Sequence, residues 1–151
     1  LQARLRLDVT YSARCPWVPA AKQLREWTAA ALAVRGGSFA LDVHVVGKLR
    51  SRRLNARYRG KDRATNVLSF AGAGSCPDGQ MHIGELVICA PVVAREAHQQ
   101  GKTPEQHWAH MAVHGVLHLL GFDHEREPEA RKMAAAEIQI LDRLGFSNPY
   151  L

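Results

Sequence analysis

Hydrophobic and polar positions change period several times along this chain, and the changes mark out its elements. Arg4 to Tyr11 (RLRLDVTY) alternates, which predicts a strand with one buried face. Pro16 and Pro19 then punctuate the chain. From Ala20 to Val34 (AAKQLREWTAAALAV) the apolar positions Leu24, Trp27, Ala31 and Val34 recur at helical spacing, and Gly36-Gly37 stops the helix. Phe39 to Val46 (FALDVHVV) alternates again. Lys48 to Tyr58 (KLRSRRLNARY) reads as a helix with Leu49, Arg53 and Ala56 along one side, and Arg59 to Thr65 as a polar loop. Asn66 to Phe70 is a short strand, Ala71 to Gln80 (AGAGSCPDGQ) a flexible connection, and Met81 to Ala90 a longer strand interrupted by Gly84. Pro91 opens a helix that Gly101 ends. Thr103-Pro104-Glu105-Gln106 is a capping box, starting a helix that runs to about Leu120 before Gly121. Pro128 begins a last helix, ending near Gly145.

The order β α β α β β α α α, without repeats or a long linker, predicts a single domain over residues 1–151. Its class is α/β (α+β): a mixed sheet of about four strands packed with about five helices. At this length folding buries roughly 68–70% of the chain's surface, so neither disulfides nor metal are needed merely to hold the fold.

The most apolar element is Trp108 to Leu120 (WAHMAVHGVLHLL), which carries apolar residues on nearly every side and so belongs in the core. Yet His110, His114 and His118 of this segment, with His107 just before it, fall on one helical stripe, within about 80° of arc at 100° per residue. Histidines on a buried helix need hydrogen-bond partners or a metal. His114 and His118, at i and i+4, can reach one zinc ion at about 2.0–2.1 Å per bond. On a continued helix His124 would lie about 9 Å further along and face away, so it joins only if the chain turns back. Gly121 permits that turn. HxxxHxxGxxH thus predicts a metal site on a buried central helix, with His114, His118 and His124 as ligands and one position open for chemistry. His107 and His110 read as core histidines with satisfied partners, or as donors behind the ligands. Asp123 reads equally as a turn former, as an acceptor for a ligand imidazole or as a weak base.

A peptidase helix of this spacing carries glutamate after the first histidine as general base. Here that residue is Gly115, which has no side chain to take a proton and reads as space left beside the metal. Charge suggests another substrate. The chain's net charge is +6, while residues 48–63 hold eight basic residues against one acid, Asp62, a local excess of +7. Such a patch favours a polyanion, with a solvated arginine-rich helix as the plain alternative. The three cysteines, Cys15, Cys76 and Cys89, show no metal or disulfide spacing and read as free thiols in a reducing cytoplasm. No apolar leader core is evident near the start, and no apolar run is long enough to span a bilayer.

Several stretches together resemble the YbeY endoribonuclease family, the bacterial rRNA maturation factors: HGVLHLLGFDH at 114–124, LNARYRGKD at 54–62, TNVLSF at 65–70 and GELVI at 84–88. Ala64 and Ala71 stand where the family usually has prolines, and Glu85 where it usually has aspartate. The resemblance implies a zinc-dependent endoribonuclease specific for single strands, acting on small-subunit rRNA 3′ ends and in ribosome quality control. Its expected partners are single-stranded RNA or rRNA and the small ribosomal subunit or its assembly factors, with no membrane. His114, His118 and His124 would hold one zinc ion, and Arg59 and His114 would carry the catalysis. Arg57, Arg59, Lys61 and Arg63 would contact RNA. Two other classes stay open at this point: a zinc metallopeptidase-like hydrolase, and a metal-stabilised assembly factor that binds RNA without cutting it.

Overall fold

A computed structural model describes residues 3–14 and 17–151. Cys15 and Pro16 lie outside the described residues. The elements keep the predicted order: β1 (Ala3–Tyr11), α1 (Ala21–Leu32), β2 (Gly37–Val46), α2 (Lys48–Arg59), β3 (Val67–Ser75), β4 (Met81–Cys89), α3 (Ala90–Gln99), α4 (Pro104–Leu119) and α5 (Glu129–Arg143). The four strands form one sheet in the order β1-β2-β4-β3. β1 and β4 run parallel to β2, and β3 runs antiparallel to β4 at the edge. The class is the mixed-sheet α/β arrangement expected.

Period-2 alternation sorts β2 between the faces. Phe39, Leu41, Val43 and Val45 point into the main core, beneath α1 and α4. Val46 joins Leu68, Val87, Cys89 and Val92 in a smaller cluster that α2 closes with Leu54. In β4 the apolar phase would slip between Ile83 and Leu86, which both enter the main core. Gly84 absorbs the extra residue at φ 152°, where the β2 pairing shifts register.

The glycine-rich stretch after Phe70 is where the expectation fails. AGAGS continues β3 to Ser75 instead of starting a flexible connection. Its small residues allow a close backbone approach to β4: a Cβ on Gly72 would lie 2.2 Å from the His82 carbonyl oxygen. The edge strand is therefore held by its main chain, which leaves no hydrophobic signature to read.

Helix α4 starts as its capping box dictates. The Thr103 hydroxyl accepts from Gln106 N–H at 3.1 Å, and the Gln106 side chain accepts from Thr103 N–H at 2.9 Å. It contacts α1, α3, α5, β3 and β4, and Trp108, Val113 and Leu117 are fully buried. Gly115 faces the sheet, not the metal. A Cβ there would meet Leu86 Cδ2 at 2.8 Å and Val67 Cγ2 at 3.2 Å, so its missing side chain lets α4 sit close on β3 and β4. The reading of Gly115 as space beside the metal is thereby corrected. Cys89 is a buried free thiol, as read, and Cys76 is also free. Among the described residues no helix is long and apolar enough to cross a membrane.

Gly84→Ala should be among the costliest single changes in the sheet. Its Cβ would sit 2.2 Å from the Phe70 carbonyl oxygen in a backbone conformation that L side chains rarely adopt. A loss of about 2–4 kcal/mol is expected, read as a lower urea midpoint at unchanged m.

Candidate metal centre

The stop of α4 places the third histidine. Gly121, at φ 100°, comes after the last helical residues; its N–H donates to His118 O and the Phe122 N–H donates to Leu117 O, both at 3.0 Å. This paired closure turns the chain back over the helix end. His124 returns to His114 and His118, and the three ring centroids form a near-equilateral triangle of 5.3, 5.2 and 4.7 Å. One nitrogen from each ring lies within 4.8 Å of the others. His118 Nε2 and His124 Nδ1 stand 2.8 Å apart. Burial, then the neighbouring His114 and His124, push the His118 pKa down. That favours the neutral imidazole, the form with a lone pair to give a metal. The donor set fits a divalent ion that takes nitrogen ligands.

Behind His114 lies Glu137 of α5, with 1% of its surface exposed. His114 Nδ1 donates to Glu137 Oε2 at 2.6 Å, since an ionised carboxylate can only accept. That fixes the tautomer and leaves Nε2 for the metal. The Tyr150 hydroxyl donates to the other oxygen, Oε1. His110 Nε2 is 3.3 Å from Oε2, at ion-pair distance but without hydrogen-bond geometry. Burial alone would raise the Glu137 pKa, but His110, His114 and Tyr150 outweigh it and hold it down to about 2. Sequence reading missed Glu137. The available signal was an acid on an apolar stripe, Met133, Glu137, Ile140 and Leu141, the buried residues of α5.

The other stripe histidine, His107, is a core residue bonded to Glu96 Oε1 at 2.8 Å. Glu96 also accepts from the Asn66 side chain at 3.1 and 3.2 Å, which braces the start of β3. Asp123 takes the turn-forming role, its carboxylate accepting the Glu125 N–H at 2.9 Å.

The histidines open on a cleft of about 560 Å³ that Arg59, Lys61, Arg63 and Glu125 also line. Two buried polar residues of α2 hold its basic wall. Asn55 donates to the Arg63 carbonyl at 2.9 Å, and the Ser51 hydroxyl donates to Thr65 O and accepts from Thr65 N–H. Gly60, at φ 71°, lets the chain leave the helix into this loop. Arg59 donates to the Ser69 carbonyl at 2.8 Å, and its guanidinium carbon lies 5.1 Å from the Phe70 ring centre. Arg57 is placed elsewhere: its helix face lines a separate groove with Arg52, Arg53 and Asp62.

The model of the family described as Endoribonuclease YbeY matches residues 16–145. The chain is 49% identical to Endoribonuclease YbeY of Stenotrophomonas maltophilia (strain R551-3), over 97% of this chain and 94% of that protein. It is 51% identical to Endoribonuclease YbeY of Alkalilimnicola ehrlichii, over 88% and 82%. The fold also resembles the solution structure of TM1509 from Thermotoga maritima, with a TM-score of 0.55 at 21% identity, covering 95% of this chain and 91% of that one.

The Glu96 brace gives a pH prediction. Burial opposes its ionisation, but bonds from His107 and Asn66, with the charges of His107 and Arg95, leave its pKa below the ordinary 4.5. A depressed carboxylate stabilises the fold fully above pH 4.5 and loses that contribution as pH falls through the folded pKa. Glu96→Gln should therefore cost about 1–2 kcal/mol at neutral pH. Denaturant melts of both proteins should show this gap closing on acidification below pH 4.5.

Proposed function

The chain belongs to the YbeY endoribonuclease family, and from that membership we propose a zinc-dependent enzyme that cuts single-stranded RNA in the cytoplasm. Its proposed task is maturing the 3′ end of small-subunit rRNA and ribosome quality control, with the small subunit or its assembly factors as partners. The observation that carries this reading is the shared cleft, where three converging histidines face Arg59, Lys61 and Arg63.

In this reading His114, His118 and His124 hold the metal. A zinc ion held by these three imidazoles would supply Lewis acidity towards a phosphoryl oxygen and towards water. Glu137 keeps the His114 imidazole turned so that Nε2 faces the cleft. Arg59 is anchored by bonds to the Tyr58 and Ser69 carbonyls. Those bonds leave further guanidinium N–H groups to grip a phosphate in two places and to neutralise charge as it develops. Lys61 and Arg63 continue along the strand's phosphates, and Arg57 extends the track outside the cleft. A dedicated glutamate is not required beside the first histidine, because a metal held there would itself lower the pKa of its water to about 7.

On single-stranded RNA, Arg59→Ala should lower kcat about 100-fold, and His114→Ala should abolish both tight zinc binding and chelator-sensitive cleavage. Unchanged cleavage by either variant, shown folded by circular dichroism, would remove that residue from the mechanism. Casein should not be hydrolysed.

Phosphate contacts should appear in the salt dependence of binding. Lys61→Ala is expected to flatten the slope of log affinity against log salt by about 0.7, the value for one phosphate on a single strand.

A further inference from the structure

We propose that Tyr150 is a positioning residue for the histidine centre: its phenol, held by the segment from Phe146 to Tyr150, aligns the Glu137 carboxylate on His114 in preference to His110. The inference rests on the reading of His114 as a metal ligand.

Both oxygens of Glu137 are engaged, Oε2 by His114 and Oε1 by Tyr150. The arrangement is not explained by burial of the tyrosine, which keeps 55% of its surface exposed while its hydroxyl reaches a carboxylate only 1% exposed. The His110 ring is the competitor. Its Nε2 lies 3.3 Å from Glu137 Oε2, is buried, and makes no hydrogen bond. A buried donor without a partner is costly, so a freely turning carboxylate would be drawn towards it. A phenol donating to Oε1 opposes that turn. The Tyr150 ring also stands edge-on to His110, at 5.6 Å and 83°.

The segment carrying Tyr150 is fastened along its length. Phe146 N–H donates to Leu141 O at 2.8 Å, and the Phe146 ring packs on Trp27 at 6.2 Å. Lys102 Nζ donates to the Pro149 carbonyl at 2.6 Å, and Tyr150 N–H donates to the Asn148 side chain at 2.8 Å. The phenol is thus presented by a strap anchored on α1, the α3–α4 turn and α5. Loss of the phenol should let the His114 tautomer exchange and weaken metal retention.

Tyr150→Phe removes the hydroxyl and keeps the ring, and Lys102→Met loosens the strap without touching the carboxylate. Zinc affinity, measured by competition with a chromophoric chelator, should fall about three- to tenfold in Tyr150→Phe, below the 10- to 100-fold typical of a direct partner of a ligand. It should fall less in Lys102→Met. In the metal-free protein, long-range ¹H–¹⁵N spectra should show His114 protonated at Nδ1 in the wild type, and a mixture of tautomers in Tyr150→Phe. A change in packing alone would move the melting temperature without moving that tautomer signal. If Tyr150→Phe keeps wild-type affinity and the wild-type tautomer, while His114→Ala loses zinc, the strap is overturned and the metal site stands. Zinc binding equally weak in wild type and His114→Ala overturns both.

Discussion

The buried carboxylate of Glu137 is the contact on which the site's geometry turns. An ionised group with 1% exposure is tolerated only where donors replace the water it has lost. Those donors are His114 of α4 and Tyr150 of the segment beyond α5, with the His110 ring of α4 at ion-pair distance beside them. Each is therefore held near Glu137 by the cost of leaving a charge unpaired. Because one of them is also a cleft histidine, the energy that keeps the core intact orients the imidazole.

The cleft lies across an edge of the sheet, and one residue of the edge strand joins its two sides. Ser69 donates its hydroxyl to the Gly115 carbonyl of α4 at 3.0 Å. Its own carbonyl accepts from Arg59 of α2 at 2.8 Å. The separation between histidines and arginine is thus set by a strand backbone and two hydrogen bonds, not by long side chains free to wander. A cleft meant to hold a phosphate between a metal and a cation needs such a fixed spacing, since binding energy spent on ordering its walls would be lost to the reaction.

What the sequence made legible was local. The element order, the capping box at Thr103, the turn at Gly121 and the histidine stripe all arise from spacings within about three helical turns. Those spacings placed His114, His118 and His124 correctly as neighbours. Glu137 was invisible because it sits 23 residues from its partner His114, and nothing in the pattern of α5 says which helix its stripe meets. Ser51 and Asn55 were passed over for the same reason: each shapes the basic loop through a backbone partner 8 to 14 residues away. Charge counting found the basic segment but not its division. Residues 48–63 form one run in sequence, yet α2 directs Arg59 to the cleft and Arg57 to another groove.

Gly115 shows how packing decides chemistry. It lies about 100° around the helix from His114, on the side pressed against Leu86 and Val67. A glutamate at that position would enter the sheet and not the cleft, so in this fold it could not act as a base beside the histidines. The spacing shared with peptidase helices therefore carries only the metal geometry across. The rest of the chemistry has to be supplied from elsewhere around the cleft, where α2 and the loop after it bring Arg59, Lys61 and Arg63. Cations stabilise a phosphate's developing charge where a carboxylate would repel it. The same close approach of α4 to β3 that excludes the acid brings the histidines up to Ser69 and, through it, to Arg59.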